Sequence, residues 1–311
     1  MFDGSLAERI LTPQERYARE LDKLLAQVGR LEEQAVRRAM GLLADARRRV
    51  IERLASVREG SFLAGYLPQL QREIERVMAD YVERYRVIFT EDTIQAWDLG
   101  LQSVTAPLQA AGVTQLVARM PGLDPALPDV LQGFHARLIT EISDYARARI
   151  TTELQLGVLG GLSPWQMQQR IAEILRTQPN AAGVFGTVAN RAEAIQRTEL
   201  NRVFSLATEA RQQQLVTTAA TVFPEWQPRK RWLNAGDGRV RPSHRRAELL
   251  AQRPLMDGGE FVLVDEKGQA FKAKFPLDPR LPASQSVRCR CKAILDYQDE
   301  GFQALLAREA A

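Results

Sequence analysis

The residues able to do chemistry are few in this chain, and they sit close together in its last third. Its two cysteines, Cys289 and Cys291, are one residue apart, and His244 is one of only two histidines. Asp237 lies just upstream, between Gly236 and Gly238, in a turn-forming setting. An imidazole, two thiols and a nearby carboxylate are the ligand types that zinc takes, at about 2.0–2.3 Å. By type they also supply a nucleophile, a base and an orienting group. A hydrolase or nuclease built on His244, Asp237 and the Cys289/Cys291 pair is therefore the enzyme alternative. The Cys-x-Cys spacing is not the common two-residue spacer of zinc fingers. On a β-strand, however, alternate side chains share a face, which would point both sulfurs one way and Arg288, Arg290 and Lys292 the other. That geometry suits either a metal site at His244, Cys289 and Cys291 or a small buried sulfur pair. A disulfide between residues this close would close no long loop, and reduced thiols are expected.

Cations crowd the same region. Arg229, Lys230, Arg231, Arg239, Arg241, Arg245 and Arg246 fall within eighteen positions, with Asp237 the one acid among them. Residues 225–292 hold fifteen Lys or Arg against eight Asp or Glu, an excess of seven where the whole chain has four. Arg229, Lys230, Arg231, Arg245, Arg246 and Arg290 are the candidate nucleic-acid contacts, to phosphates, independent of sequence and weakened by salt. Intramolecular pairing is the alternative, and Asp237 is able to hold Arg239, Arg241 or Arg197. Trp226 and Trp232 offer faces for stacking on exposed bases, but beside β-type runs such tryptophans suit a core.

These groups need a frame, and the chain supplies one that is mostly helical. With 311 residues, 45% apolar and 26% charged, it is long enough for two or three packed units and too apolar for overall disorder. Apolar residues at steps of three and four from Leu21 to Val57, including Leu42, predict one long amphipathic helix over 13–57. Its outer face mixes arginines with acids, as a solvated face does. A second helix is expected over 66–89, turning back at Gly60, Ser61 and Gly65, and another over 90–102. The Pro- and Gly-rich stretch 106–128 predicts an interruption. Helices resume over 130–156, over 165–175 behind an N-capping Ser163 and Pro164, and over 188–216 beyond the loop 177–186. Past Thr221, β-type runs at 230–233, 260–264, 270–274 and 287–295 predict a small antiparallel sheet, with a hairpin turn at Asp265-Glu266-Lys267-Gly268 and a terminal helix from Phe302. No run of about eighteen uncharged apolar residues occurs, and residues 1–13 lack the order of an export signal, so a cytoplasmic origin with no membrane partner is expected.

Three clusters recur in a telling order: Arg197-Thr198-Glu199 on a helix, then Trp232 followed by Asp237-Gly238-Arg239-Val240-Arg241-Pro242-Ser243-His244, then Cys289-Arg290-Cys291 after an Asp-Pro loop. Together with the turn Gly161-Leu162-Ser163-Pro164, they resemble the Mu F-type phage head morphogenesis family over about residues 150–296. The loop 254–260 is short for that pattern, and residues 1–110 are not covered. The resemblance implies a minor head protein present in few copies, carried inside the head at or near the portal.

The expected fold is mainly α, with a long N-terminal helical hairpin and a small α+β C-terminal domain bearing a short antiparallel sheet. Residues 1–110 are read as a docking region, 111–186 as a helical connector and 187–311 as the Mu F-like domain. The expected function is structural and non-enzymatic, in the virion interior after assembly in a host cytoplasm. Portal protein, capsid or scaffolding protein and packaged DNA are the expected partners. A free, non-specific DNA-binding protein is a second alternative. No resident cofactor is expected beyond the zinc that His244, Cys289 and Cys291 admit.

Overall fold

A computed structural model of the chain describes residues 11–56, 66–122, 127–159, 162–176 and 187–309. The expected corner at Gly60, Ser61 and Gly65, the glycines Gly160 and Gly161 and the loop 177–186 lie outside the described residues. The fold is mainly helical, with four short strands near the C-terminus. It divides into two compact units made of interleaved segments. One comprises Arg30–Gln95 and Pro125–Asn201, the other Met1–Gly29, Ala96–Asp124 and Arg202–Ala311.

The first unit is a helical assembly. It takes in most of α1 (Pro13–Ala55), the first part of α2 (Leu67–Ala111), α4 (Leu127–Leu159), α5 (Pro164–Ile174) and the start of α6 (Val188–Val222), the intervening α3 (Thr114–Ala118) lying in the other unit. Within it α1 and α2 form the expected antiparallel hairpin, because ion pairs step in opposite directions along them: Arg38 with Glu91, Arg84 with Asp45, and Arg49 with Asp80. The apolar stripes meet inside, through Leu43, Val50, Leu54, Ile74, Tyr81 and Tyr85. Leu43 is buried where the sequence pattern suggested Leu42, since four residues on from the buried Ala39 is the position that a 3.6-residue turn brings round to the same face. Polar groups trapped in this core are satisfied in a chain. Tyr85 donates to Gln196 at 2.8 Å, Gln196 donates to Asp92 at 3.2 Å, and Arg38 pairs with Asp92. The start of α5 follows from its sequence: Ser163 Oγ accepts from the Gln166 amide and Gln166 Oε1 accepts from the Ser163 amide, a reciprocal capping box.

The second unit carries all the strands. Strand β1 (Lys230–Leu233) pairs antiparallel with β4 (Lys292–Leu295), and β2 (Phe261–Val264) with β3 (Ala270–Ala273). Two two-stranded sheets therefore stand where one small sheet was expected. Asp265 makes the β2–β3 turn, its side chain accepting from the amides of Lys267 and Gln269 while Gly268 adopts a φ of +79°. Short helices α7 (Pro242–Leu249), α8 (Ala283–Ser286) and α9 (Glu300–Glu309) fill the connections. Glu309 on α9 caps the first amides of α3, those of Thr114, Gln115 and Leu116. Among the described residues no helix is long and apolar enough to cross a membrane.

The interruption expected over 106–128 begins later than its first residues, because α2 runs on through Pro107 to Ala111. Proline removes one helical hydrogen bond, but Val104, Leu108 and Ala111 are all buried against Leu116, Leu215 and Phe302, and that packing holds the turn. The same stretch of α2 approaches α6 closely at Gly100. A methyl group there would lie 2.5 Å from the Phe204 carbonyl oxygen and 2.6 Å from Ala207 Cβ. Gly100→Ala gains about 1 kcal/mol of helix propensity yet forces two backbones apart. A net loss of about 1–3 kcal/mol is expected, read as a lower urea midpoint with an unchanged slope.

Candidate metal centre

Three chain segments converge to make the site. The first turn of α7 presents His244, the residues after α8 present Cys289 and Cys291, and β1 presents Trp232. Pairing of β1 with β4 places Trp232 opposite Ala293, two residues past Cys291. Arg241 straps the start of α7 to the same loop by donating to the carbonyls of Ser284 and Val287. Cys289 and Cys291 precede β4 instead of lying in it; both sulfurs still face His244 while Arg290 turns to Asp237, and Arg288 just before them takes a left-handed φ of +59°. A left-handed non-glycine residue is strained, of order 1–3 kcal/mol, and such positions cluster at functional sites.

His244, Cys289 and Cys291 are all buried, and their ligand atoms lie within 4.8 Å of one another. His244 Nδ1 is 3.4 Å from the Cys291 sulfur and 3.5 Å from the Cys289 sulfur. The other ring nitrogen faces Gln285 Oε1 at 3.2 Å, and Ser243 Oγ donates to the same oxygen at 2.8 Å. An amide oxygen only accepts, so Nε2–H points to Gln285, which leaves Nδ1 facing the two sulfurs. The thiols divide their protons unequally. Cys289 is held well below the usual thiol range by its hydrogen bond with Cys291 and by His244, against the cost of burial. Cys291 is pushed above that range by the same bond and by burial. The buried Trp232 indole N–H acts on the Cys291 sulfur and works against its rise, and the indole stands edge-on to the His244 ring at 5.1 Å. Trp232 is 2% exposed, which makes it core and removes it as a stacking platform.

Asp237 lies beside this cluster without joining it. Its carboxylate accepts from Arg239 and from Arg290, the residue between the two cysteines. The hydrogen bond from Arg290 is the largest cause lowering its pKa to about 2, with the Arg239 amide and guanidinium adding to it. Arg241 and Arg197, the other partners the sequence offered it, are spent elsewhere. Arg197 belongs to the other compact unit, where it pairs with Glu32 and Glu193, and Asn201 donates to the second Glu32 oxygen at 2.8 Å. Thr198 and Glu199 are buried in that unit too. The motif is thus divided: Trp232, His244, Cys289 and Cys291 come together, Asp237, Arg239 and Arg241 bracket them, and Arg197-Thr198-Glu199 build a different core.

Of the candidate phosphate contacts, Lys230 is corrected outright. It is 0% exposed, bonded to Glu209 at 3.3 Å, and burial lowers its pKa against that pairing, so it reaches no ligand. Arg231 lies over the Tyr297 ring and Arg229 donates to the Arg253 carbonyl, although Arg229 remains exposed. Arg245 and Arg246 are exposed, and Arg290 is partly so. Sequence reasoning missed Gln285 and Ser243, which orient the imidazole across about forty residues of chain, and neither carries a signal that spacing reveals.

No family model, curated protein or solved structure matches this chain. The likeness over 150–296 therefore stands on the motif residues themselves.

The Asp237 clamp has a pH signature. A carboxylate with a depressed folded pKa contributes stability that is fully present above its unfolded value near 3.9 and is lost as pH falls through about 2. Wild type and Asp237→Asn are expected to differ in melting temperature at pH 6, with the gap closing between pH 4 and 2, roughly that interval. A gap that persists at pH 2 would contradict the clamp.

Proposed function

We propose that this chain is a structural minor head protein of a tailed bacteriophage, and that zinc bound by His244, Cys289 and Cys291 staples its C-terminal unit. The observation that carries the reading is the joining of two motif segments. The stretch containing Asp237 and His244 is tied to Cys289-Arg290-Cys291 twice over, through Asp237 to Arg290 and through His244 to both sulfurs. Two of the three motif segments behind the Mu F-type resemblance thus fold onto one another, while Arg197-Thr198-Glu199 belongs to the other compact unit.

Zinc fits these three donors in chemistry and in their nitrogen–sulfur spacing, and its fourth position would fall to a ligand outside the cluster. Tetrahedral bonds of about 2.3 Å to sulfur and 2.0–2.1 Å to nitrogen separate those atoms by roughly 3.5–3.6 Å, against the 3.4 and 3.5 Å found here. Gln285 supplies the outer partner that metal-bound histidines ordinarily have on their second nitrogen. In this reading the ion ties α7 to the segment before β4, and the long helices serve docking on portal, capsid or scaffolding protein in the virion interior. The exposed arginines touch packaged DNA through non-specific phosphate contacts.

The hydrolase alternative built on His244, Asp237 and the cysteines asks Asp237 to orient the histidine. The imidazole is held by the Gln285 amide instead, while Asp237 is committed to arginines. Burial of all three ligand residues also favours structure over turnover.

Elemental analysis of protein purified without chelator is expected to find about one zinc per chain, lost in the Cys289→Ser/Cys291→Ser variant. Chelation is expected to lower the melting temperature by several degrees. Zinc-free protein with an unchanged melt would overturn the staple. For the assembly role, co-expression with the portal of the same phage is expected to yield a complex that imaging resolves at the portal ring. A chain that stays apart from portal and particles alike would sink that role.

A further inference from the structure

Asp237 gathers more positive charge than it needs. Its Oδ2 accepts from Arg290 and from Arg239 Nε and Nη2 at 3.3 and 3.1 Å, its Oδ1 takes the Arg239 amide at 3.0 Å, and its main-chain oxygen takes Arg245 Nη2 at 3.3 Å. One bidentate arginine satisfies a carboxylate. Three guanidiniums on one aspartate leave two positive charges over, and each guanidinium has five N–H donors of which only some are spent here. The surplus meets solvent: Arg239 is 72% exposed at its side chain, and Arg245 is exposed.

Most neighbouring cations are otherwise engaged. Lys230 is buried with Glu209, Arg231 lies on Tyr297, and Arg241 holds two carbonyls. Arg290 is fixed at its root because it stands between Cys289 and Cys291, both buried. Arginines already held in place lose less conformational freedom when an anion arrives.

We infer that Arg239, Arg245 and Arg290, organised by Asp237, form a binding site for the phosphodiester groups of nucleic acid. This rests on the DNA-contacting role proposed above and gives it a location. Asp237 serves as a positioning residue: its carboxylate strengthens binding to an anion by holding Arg239 and Arg290 together, beside the Arg245 that its main-chain oxygen holds.

That sign makes the test sharp. The full chain is titrated against a fluorescently labelled random-sequence DNA duplex over a salt series, and anisotropy gives the affinity. Arg239→Ala is expected to reduce the slope of log affinity against log salt by about 0.9, the value for one phosphate contact. Arg37→Ala, an equal loss of charge at a 73% exposed position on α1, is expected to leave the slope alone. Asp237→Asn is expected to weaken binding several-fold although it removes a negative charge. Arg245→Ala, at an exposed position, repeats the Arg239 test, and a melting curve for each variant identifies any that fail to fold. Tighter binding by folded Asp237→Asn, or arginine variants no different from Arg37→Ala, overturns the site while the DNA-contacting role stands. A wild-type chain with no salt-dependent binding removes both.

Discussion

The His244 imidazole is held at Nε2 by Gln285, and two sulfurs converge on its Nδ1 in a buried position. The two sulfurs also hydrogen-bond to each other, which holds Cys289 below the thiol range and pushes Cys291 above it, and the Trp232 indole acts on the Cys291 sulfur. A single soft cation would satisfy the imidazole and both sulfurs at once, which is the zinc staple proposed above. The local fold is arranged around that convergence. Arg241 straps α7 to the loop, Ser243 fixes Gln285, the left-handed Arg288 aims Cys289, and β1–β4 pairing holds Cys291 and Trp232 in register.

The same arrangement explains how charge is handled close by. Arg290 cannot enter the buried cluster, because a guanidinium keeps its charge and needs acceptors. It extends to Asp237, which in turn fixes Arg239 and Arg245. Buried ligands and a half-exposed arginine cluster are thus two consequences of one Cys-Arg-Cys segment. In the other compact unit, Glu32 plays a comparable role, binding Arg197 and Asn201 inside a helical core. There the Arg-Thr-Glu segment is architectural.

How much of this was legible in the sequence differs by scale. Helical periodicity located α1 and α5 nearly to the residue, because amphipathic spacing, Ser163 and Pro164 are local signals. The β-hairpin turn at Asp265 to Gly268 was equally local. The continuation of α2 through Pro107 was not, since tertiary packing of Leu108 and Ala111 decides it. At the site, the convergence of His244 with both cysteines could be suspected from ligand types alone. Both sulfurs face His244 and Arg290 faces away as alternation suggested, but the strand itself starts only at Lys292 and Lys292 is buried. Lys230 read as a surface cation, yet alternation in β1 turns it inward to Glu209. Asp237 was assigned three partners of which only Arg239 holds, and Arg290 was missed there because its distance along the chain hides the pairing.

Composition at the metal is the most direct evidence to seek. X-ray absorption at the zinc edge of the purified, chelator-free protein reads the ligand atoms themselves. Two sulfurs at about 2.3 Å with nitrogen or oxygen at about 2.0 Å are predicted. A shell of light atoms alone, or no bound metal to measure, would contradict a His244, Cys289 and Cys291 centre.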